Sequence, residues 1–324
     1  APRPGVQIRA HKRMATTGPT ATTEAPDKAV DAVCARFGND PHRMLDILIA
    51  VQKAQRWISP AAMETVAAAT GLTRIAVEGV ASFYAFLSST PRGRVTIRLC
   101  DDIVDRFAGL DAVAAAFEAE LGIRVGETSA DGEVSLEVTP CIGMCDQAPA
   151  AMIDDLVATR LTPGRARAIA RALKAGLSPA EVLVADHVRL TPLERVKAQV
   201  EDNIRQRGEG LLGPVPLDAG LSAARAMEPA AIVDSVEASG LRGCGAGFST
   251  GRKWRLAAAA PDPHRVVICN GDEGEPGTFK DRVLLTDRAE LVVEGMAICA
   301  RAIDAREGIL YLRGEYVYLE DHLQ

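Results

Sequence analysis

Apolar positions recur with a helical period near the start of the chain and switch to alternation beyond residue 90. Residues 29–37 and 43–53 repeat every three to four positions, and in the second run Met44, Leu45, Ile47, Leu48 and Val51 share one face. Ser59 stands before Pro60, and Thr73 before Arg74. A short polar side chain ahead of a periodic run marks a helix start, because its oxygen accepts an amide that has no partner inside the helix. Proline at the first helical position costs nothing, since that position needs no amide. The spacing predicts four short helices, the last over 74–87. Residues 94–100, RVTIRLC, then alternate as a strand. An alanine-rich helix is expected over 111–121, a second strand over 133–138 and the start of a third at 151–153. A helix over 162–175, with Pro163 at its first position, closes the set. The order β-α-β-β-α suits a small thioredoxin-like α/β unit.

Beyond it, 178–184 and 191–206 read as helices, with Ser178 and Thr191 each preceding a proline. Residues 207–220 are rich in Gly and Pro and read as a linker. Two short helices follow over 221–227 and 230–239, the second behind Pro229. Residues 239–251 form a glycine-rich loop, after which Arg252, Lys253 and Trp254 open a helix. A buried-type strand, RVVIC, at 265–269 ends in Asn270, Asp272, Glu273 and Glu275. After an amphipathic helix over 290–302, a strand at 308–312 ends in Arg313, Glu315 and Tyr316. Ligands of open α/β sheets sit beyond the carboxyl ends of the strands, where both polar groups fall. The fold class is α/β. The expected division is a disordered tail over 1–26, a helical plus thioredoxin-like domain over 27–175, a helical linker over 176–227 and a second domain over 228–324.

Composition narrows the function. A net charge of −6 leaves no basic stripe to neutralise phosphates, which argues against nucleic acid. No apolar run reaches the ~20 residues that span a membrane, and no secretory signal opens the chain, so direct membrane insertion is not expected and a cytoplasmic location is. Seven cysteines, an odd number without a signal peptide, argue against a disulfide framework. Cys100 ends the first strand, and Cys141 and Cys145 flank a glycine in a turn after the second. Thiolates on tight loops at neighbouring strand ends are how iron–sulfur clusters are held; the other reading is buried thiols at the top of the sheet. Gly243, Gly245, Gly247 and Gly251 remove side chains where a ligand must approach the backbone, and the helix after them offers amides to a phosphate. By itself that loop also reads as a plain turn, and the acidic turn at 272–275 as a solvated one.

The combination is more specific than its parts. VASFYAFL, the strand ending in Cys100, and TPCIGMCDQAPA resemble the thioredoxin-like [2Fe–2S] subunit of respiratory complex I. That family holds its cluster with a Cys-x4-Cys pair and a Cys-x3-Cys pair. The resemblance implies Cys100, Cys141 and Cys145 as ligands, with Asp105 at the fourth position in place of a cysteine. GLRG-x-G-AGFSTG-x-KW, CN-x-DEGEPGTFKDR and YLRGEY resemble the subunit of complex I that binds FMN and NADH. With the thioredoxin-like module ahead of them, they resemble the diaphorase alpha subunits of NAD-reducing [NiFe] hydrogenases.

The resemblance implies a partial Rossmann-like FMN-binding domain after the thioredoxin-like one. Gly243, Gly245, Gly247 and Lys253 would cradle the FMN, and Asn270, Asp272, Glu273 and Gly274 would bind its ribityl chain and ring. Tyr311, Gly314 and Glu315 would complete the pocket, while Phe248 and Glu275 would contact NAD(H). Hydride would pass directly between NADH and FMN with no catalytic side chain, and electrons onward to iron–sulfur clusters in a hetero-oligomer with hydrogenase subunits. A complex I or NAD-dependent formate dehydrogenase partner is the alternative, as is a non-catalytic assembly scaffold with degenerate sites. The family loop reads Arg-Gly-x-Gly-Gly-Ala-Gly-Phe, one glycine longer than Arg242 to Phe248 here. The family also continues into a segment with a [4Fe–4S] cluster, so the chain is expected to be a fragment or an incomplete product.

Overall fold

The computed structural model describes residues 28–184, 188–243 and 247–324. The tail expected over 1–26 and Gly245 of the glycine loop lie outside them. The chain divides into two compact units, with the boundary between Pro91 and Arg92.

The first unit is helical: α1 Lys28–Arg36, α2 Met44–Gln55, α3 Pro60–Thr70 and α4 Arg74–Phe83. The caps form as expected, with Ser59 Oγ accepting from Ala62 N at 3.0 Å and Thr73 Oγ1 from Ala76 N at 3.3 Å. Ile47, Leu48, Val51, Ile58 and Val66 are fully buried in its core, as is Cys34. Burial pushes the Cys34 thiol up, as befits a cysteine used as filler. α4 ends at Phe83 instead of 87. Tyr84 is extended, and Ser88 is drawn to other elements: its amide donates to Gln52 Oε1 at 2.7 Å and its carbonyl accepts from Ile58 N at 2.8 Å.

The second unit opens with β1 Val95–Cys100, α5 Ile103–Phe107, α6 Leu110–Leu121, β2 Glu127–Thr128, β3 Val134–Thr139, β4 Ala151–Ile153, β5 Leu156–Ala158 and α7 Pro163–Lys174. The sheet order is β2-β3-β1-β4-β5, with β1 and β3 parallel and the other pairs antiparallel. Ile97, Leu99, Leu136 and Ile153 of the sheet share a core with Phe117 of α6 and Leu173 of α7. α8 Pro179–Leu183 and α9 Pro192–Gln199 follow, each opened by a capping box, Ser178 with Glu181 and Thr191 with Glu194. α9 stops well short of 206. The Gln199 side chain accepts from Val157 N of β5 at 3.2 Å, and Glu201 N donates to Gln147, in the turn after Cys145, at 3.0 Å, so β5 and that turn capture the chain and straighten it.

The remainder comprises α10 Ala219–Arg225, α11 Pro229–Ala238, α12 Thr250–Ala258, β6 Val266–Gly271, α13 Lys280–Asp287, α14 Ala289–Ile303, β7 Glu307–Leu312 and α15 Glu320–Leu323. β6 and β7 are parallel, with Asn270 opposite Tyr311, and α13 and α14 lie between them in the chain. A parallel pair needs such a crossover, and it delivers both strands' carboxyl ends to one edge. Among the described residues no helix is long and apolar enough to cross a membrane.

Candidate cluster and flavin site

Parallel pairing sets Cys100, the last residue of β1, opposite Thr139, the last of β3. Two residues on, Cys141 therefore lies beside Cys100. Gly143 then takes φ +76°, a left-handed turn that brings Cys145 back to Cys141, with their sulfurs 3.2 Å apart. Asp102 is the N-cap of α5: its Oδ1 accepts from Val104 N at 2.7 Å and Asp105 N at 2.9 Å. Its Oδ2 accepts from the Cys145 thiol at 3.1 Å. The donor atoms of Cys100, Asp102 and Cys141 lie within 4.8 Å of one another, and all three residues are buried. Hydrogen bonds from Cys100 and then Cys145 hold the Cys141 thiol well below the ordinary cysteine range. The same bonds, with burial second, push Cys100 and Cys145 up.

Asp105, at the fourth position of the family pattern, is fully buried, outside that group of donors. Its Oδ1 accepts from Ala150 N at 2.7 Å, and its Oδ2 is buried without a hydrogen-bond partner. Burial pushes its carboxyl up to about 7, although the nearby Cys100 thiol and the Ala150 amide favour the charged form. A carboxyl raised on folding keeps its proton where the unfolded chain has released it. Stability therefore falls as pH rises from the ordinary carboxylate range, near ~4, to about 7. The chelator-treated chain should show a urea midpoint that declines over that interval, with Asp105→Asn flattening the decline. An unchanged slope in the variant would remove Asp105 as its source.

A polar seam joins this turn to the flavin-side segment. Gly277 N donates to Cys145 Sγ at 3.1 Å. Arg313, buried after β7, donates to Cys141 O at 2.7 Å and to Glu273 O. Tyr316 donates to Glu273 Oε2 at 3.1 Å, and its ring fills the space over Gly143. Arg282 of α13 pairs with Asp146 at 2.5 Å and donates to Glu201 O at 3.0 Å.

The expected flavin residues fall into two groups. Asn270 near the end of β6 is followed by Asp272, Gly274 and Glu275, and Tyr311 near the end of β7 by Gly314 and Glu315, so the pairing of Asn270 with Tyr311 places both sets at one sheet edge. All of these are exposed except Glu315, which is half-buried beneath Arg313. Glu273 differs: it is buried, and its carboxylate accepts from Asp281 N at 3.0 Å and Arg282 N at 3.2 Å at the start of α13. Its side chain is thus committed inward. In the glycine loop, Gly243 N donates to Phe248 O at 3.0 Å and Gly247 takes φ +66°. The loop leads into α12, capped by Ser249, with Lys253 and Phe248 exposed. Sequence reasoning left Asp102 and Arg282 out of the candidate site and placed Arg313 only among the polar groups after the second strand. An aspartate two residues after a strand and just ahead of IVDRF was the available signal for the first.

With this geometry in place, the family is plain. Residues 30–174 belong to the thioredoxin-like [2Fe–2S] ferredoxin family, and residues 236–324 match the FMN-binding domain of Nuo51. The chain thus joins an iron–sulfur module to a flavin module, as diaphorase subunits do. Its particular relatives include the NAD-reducing hydrogenase HoxS subunit alpha of Cupriavidus necator, 43% identical over 300 residues. That match covers 92% of this chain and 50% of the relative, so the chain spans half of that protein's length. A NADH-quinone oxidoreductase subunit of Aquifex aeolicus is 52% identical over 91 residues, 28% of this chain and 21% of the relative. A different NADH-quinone oxidoreductase subunit, that of Escherichia coli, is 39% identical over 119 residues, 37% of this chain and 72% of the relative. A crystal structure of NAD⁺-reducing [NiFe]-hydrogenase in the H2-reduced state superposes with a TM-score of 0.73 at 37% identity, covering 85% of this chain and 47% of that one.

Proposed function

We propose that the chain is the NAD(H)- and FMN-binding part of a diaphorase subunit that exchanges electrons between NAD(H) and iron–sulfur clusters, working with the other subunits of a NAD-reducing hydrogenase. One observation carries this reading: the loop after the β6 acidic turn donates a hydrogen bond, through Gly277, to the sulfur of Cys145. A flavin-side loop in contact with a cluster thiolate gives electrons a short path between two carriers.

The residues fit both groups. Three sulfurs and the adjoining Asp102 carboxylate make a donor set that suits an iron–sulfur centre. At the sheet edge, a Cβ on Gly274 would meet nothing within 4 Å, and one on Gly243 only Phe248 O at 4.0 Å, which leaves the backbone open to a cofactor. In this reading Gly243, Gly245, Gly247 and Lys253 hold the FMN phosphate. Asn270, Asp272, Gly274, Tyr311, Gly314 and Glu315 hold the ribityl chain and ring, joined by the Glu273 backbone. Phe248 and Glu275 contact the nicotinamide nucleotide. FMN, when bound, supplies hydride acceptance from NADH and release of electrons one at a time. The chain's own groups orient hydroxyls and set local charge.

Purification with added FMN, followed by the flavin absorption band and NADH–ferricyanide activity, tests the reading; a colourless, inactive protein counts against it. Glu275→Gln removes a charged acceptor from an exposed position while keeping its size. A hydrogen bond to a charged group contributes about 1.5–3 kcal/mol, so kcat/KM for NADH should fall about 10- to 100-fold with FMN content unchanged. Parallel loss of flavin and activity would reassign Glu275 to the flavin.

A further inference from the structure

We infer that the oxygen ligand of the iron–sulfur centre is Asp102, not Asp105, which occupies the fourth position of the family's cysteine pattern. The inference rests on the reading of Cys100, Cys141 and Cys145 as a cluster site and names the donor that completes it. Asp102 belongs to the group of donor atoms that closes to within 4.8 Å with Cys100 and Cys141. Its Oδ2 is also 3.1 Å from Cys145 Sγ, so the carboxylate adjoins sulfurs from both cysteine-bearing loops.

The backbone holds it there. Asp102 Oδ1 is taken by the amides of Val104 and Asp105 at the start of α5, which fixes the plane of the carboxylate and turns Oδ2 to the sulfurs. A ligand locked by its own hydrogen bonds binds metal with little further ordering, the usual function of groups just outside a metal's ligands. Asp105 lies one helical turn further on. One of its oxygens ties α5 to Ala150 ahead of β4, and its carboxyl, though it meets the Cys100 thiol, does not belong to the group of donors that closes within 4.8 Å. A carboxylate also carries its donor one bond further from the backbone than a thiolate does. Asp102 reaches the Cys145 sulfur from the cap of the helix.

The competing account makes Asp102 a helix cap that accepts the Cys145 thiol and nothing more. Asn caps a helix as well as Asp does, so Asp102→Asn preserves that function and removes only the ligating oxygen. The full chain and its Asp102→Asn and Asp105→Asn variants are reconstituted anaerobically with ferrous iron and sulfide. Iron and sulfide per chain, retention against a chelator, and the EPR spectrum after dithionite reduction are then read. Losing a group that merely supports a ligand already weakens metal binding about 10- to 100-fold. Asp102→Asn should therefore cut iron retention by at least ~10-fold and change the EPR spectrum, while Asp105→Asn keeps wild-type iron and the wild-type spectrum. Iron loss in Asp105→Asn with retention in Asp102→Asn overturns the inference, as does a wild-type spectrum in both. If Asp102→Asn does not fold, judged by circular dichroism, Asp102→Ser, which also caps α5, is read in the same way. A wild-type chain that takes up no iron and sulfide overturns the cluster reading itself, and the inference with it.

Discussion

Replacing Arg282 by alanine is expected to destabilise the second unit by about 3–5 kcal/mol, the cost of stripping a buried charge of its partner. Arg282 and Asp146 are each 2% exposed at the side chain and pair at 2.5 Å. The same guanidinium donates to Glu201 O and lies over the Phe279 ring, 5.5 Å from its centre. Alanine leaves the Asp146 carboxylate with neither water nor counter-charge. A ledger of attractions would overstate what the pair adds, since drying two charges opposes their attraction; the large effect comes from leaving one behind. Arg282→Met with Asp146→Leu removes both charges and should recover most of the loss. Denaturant unfolding checks both, with the midpoint shifting and the slope unchanged. A single variant within about 0.5 kcal/mol of wild type, the range of ordinary surface changes, would show that water reaches the pair.

The second large effect is expected at Gly143. Its φ of +76° costs an L-residue about 1–2 kcal/mol, and the space beside it is taken. A Cβ there would sit 2.2 Å from Tyr316 Oη and 2.6 Å from its Cε1. Tyr316 cannot swing away cheaply: it is fully buried, bonded to Glu273, and under the Arg313 guanidinium at 5.2 Å. Overpacking of this kind typically adds about 1–3 kcal/mol, so Gly143→Ala should cost about 2–5 kcal/mol in all. Because Gly143 turns the chain between Cys141 and Cys145, iron retention should fall with it. Adding Tyr316→Ala should relieve the steric part and leave the backbone part, a non-additivity that a double-mutant cycle measures. Strict additivity would mean that ring and turn do not touch.

What could be read from the sequence was local. Ser59, Thr73, Ser178 and Thr191 each cap the helix they precede, because a cap needs only its next three residues. Strands β1, β3, β6 and β7 carry enough apolar positions to announce themselves. α5, with five residues, and β5, with three, are too short for any period, and α13 has charges on several sides. α9 ends early because Gln199 finds a partner in β5 and Glu201 one in the turn after Cys145, tertiary contacts no window can see. At the candidate site, the meeting of Cys100, Cys141 and Cys145 was legible because adjacent strands end together. Asp102 was not, since its reach depends on how α5 begins. The direction of Glu273 was equally hidden, for a glutamate in an acidic turn looks the same facing water or capping α13. Arg282 and Arg313 meet partners 136 and 172 positions away.

The seam between the cysteine turn and the segment from Glu273 to Tyr316 has a further consequence. The NADH-quinone oxidoreductase relatives of Aquifex aeolicus and Escherichia coli are two different subunits, whereas here one polypeptide carries the parts similar to both. A tether of this kind replaces a concentration-dependent encounter with a local one, at an effective concentration on the order of millimolar. Dilution then cannot part the two halves, and Gly277, Arg313 and Tyr316 are free of the task of supplying affinity. Substitutions along the seam should be felt as misalignment of cluster against flavin before they are felt as separation.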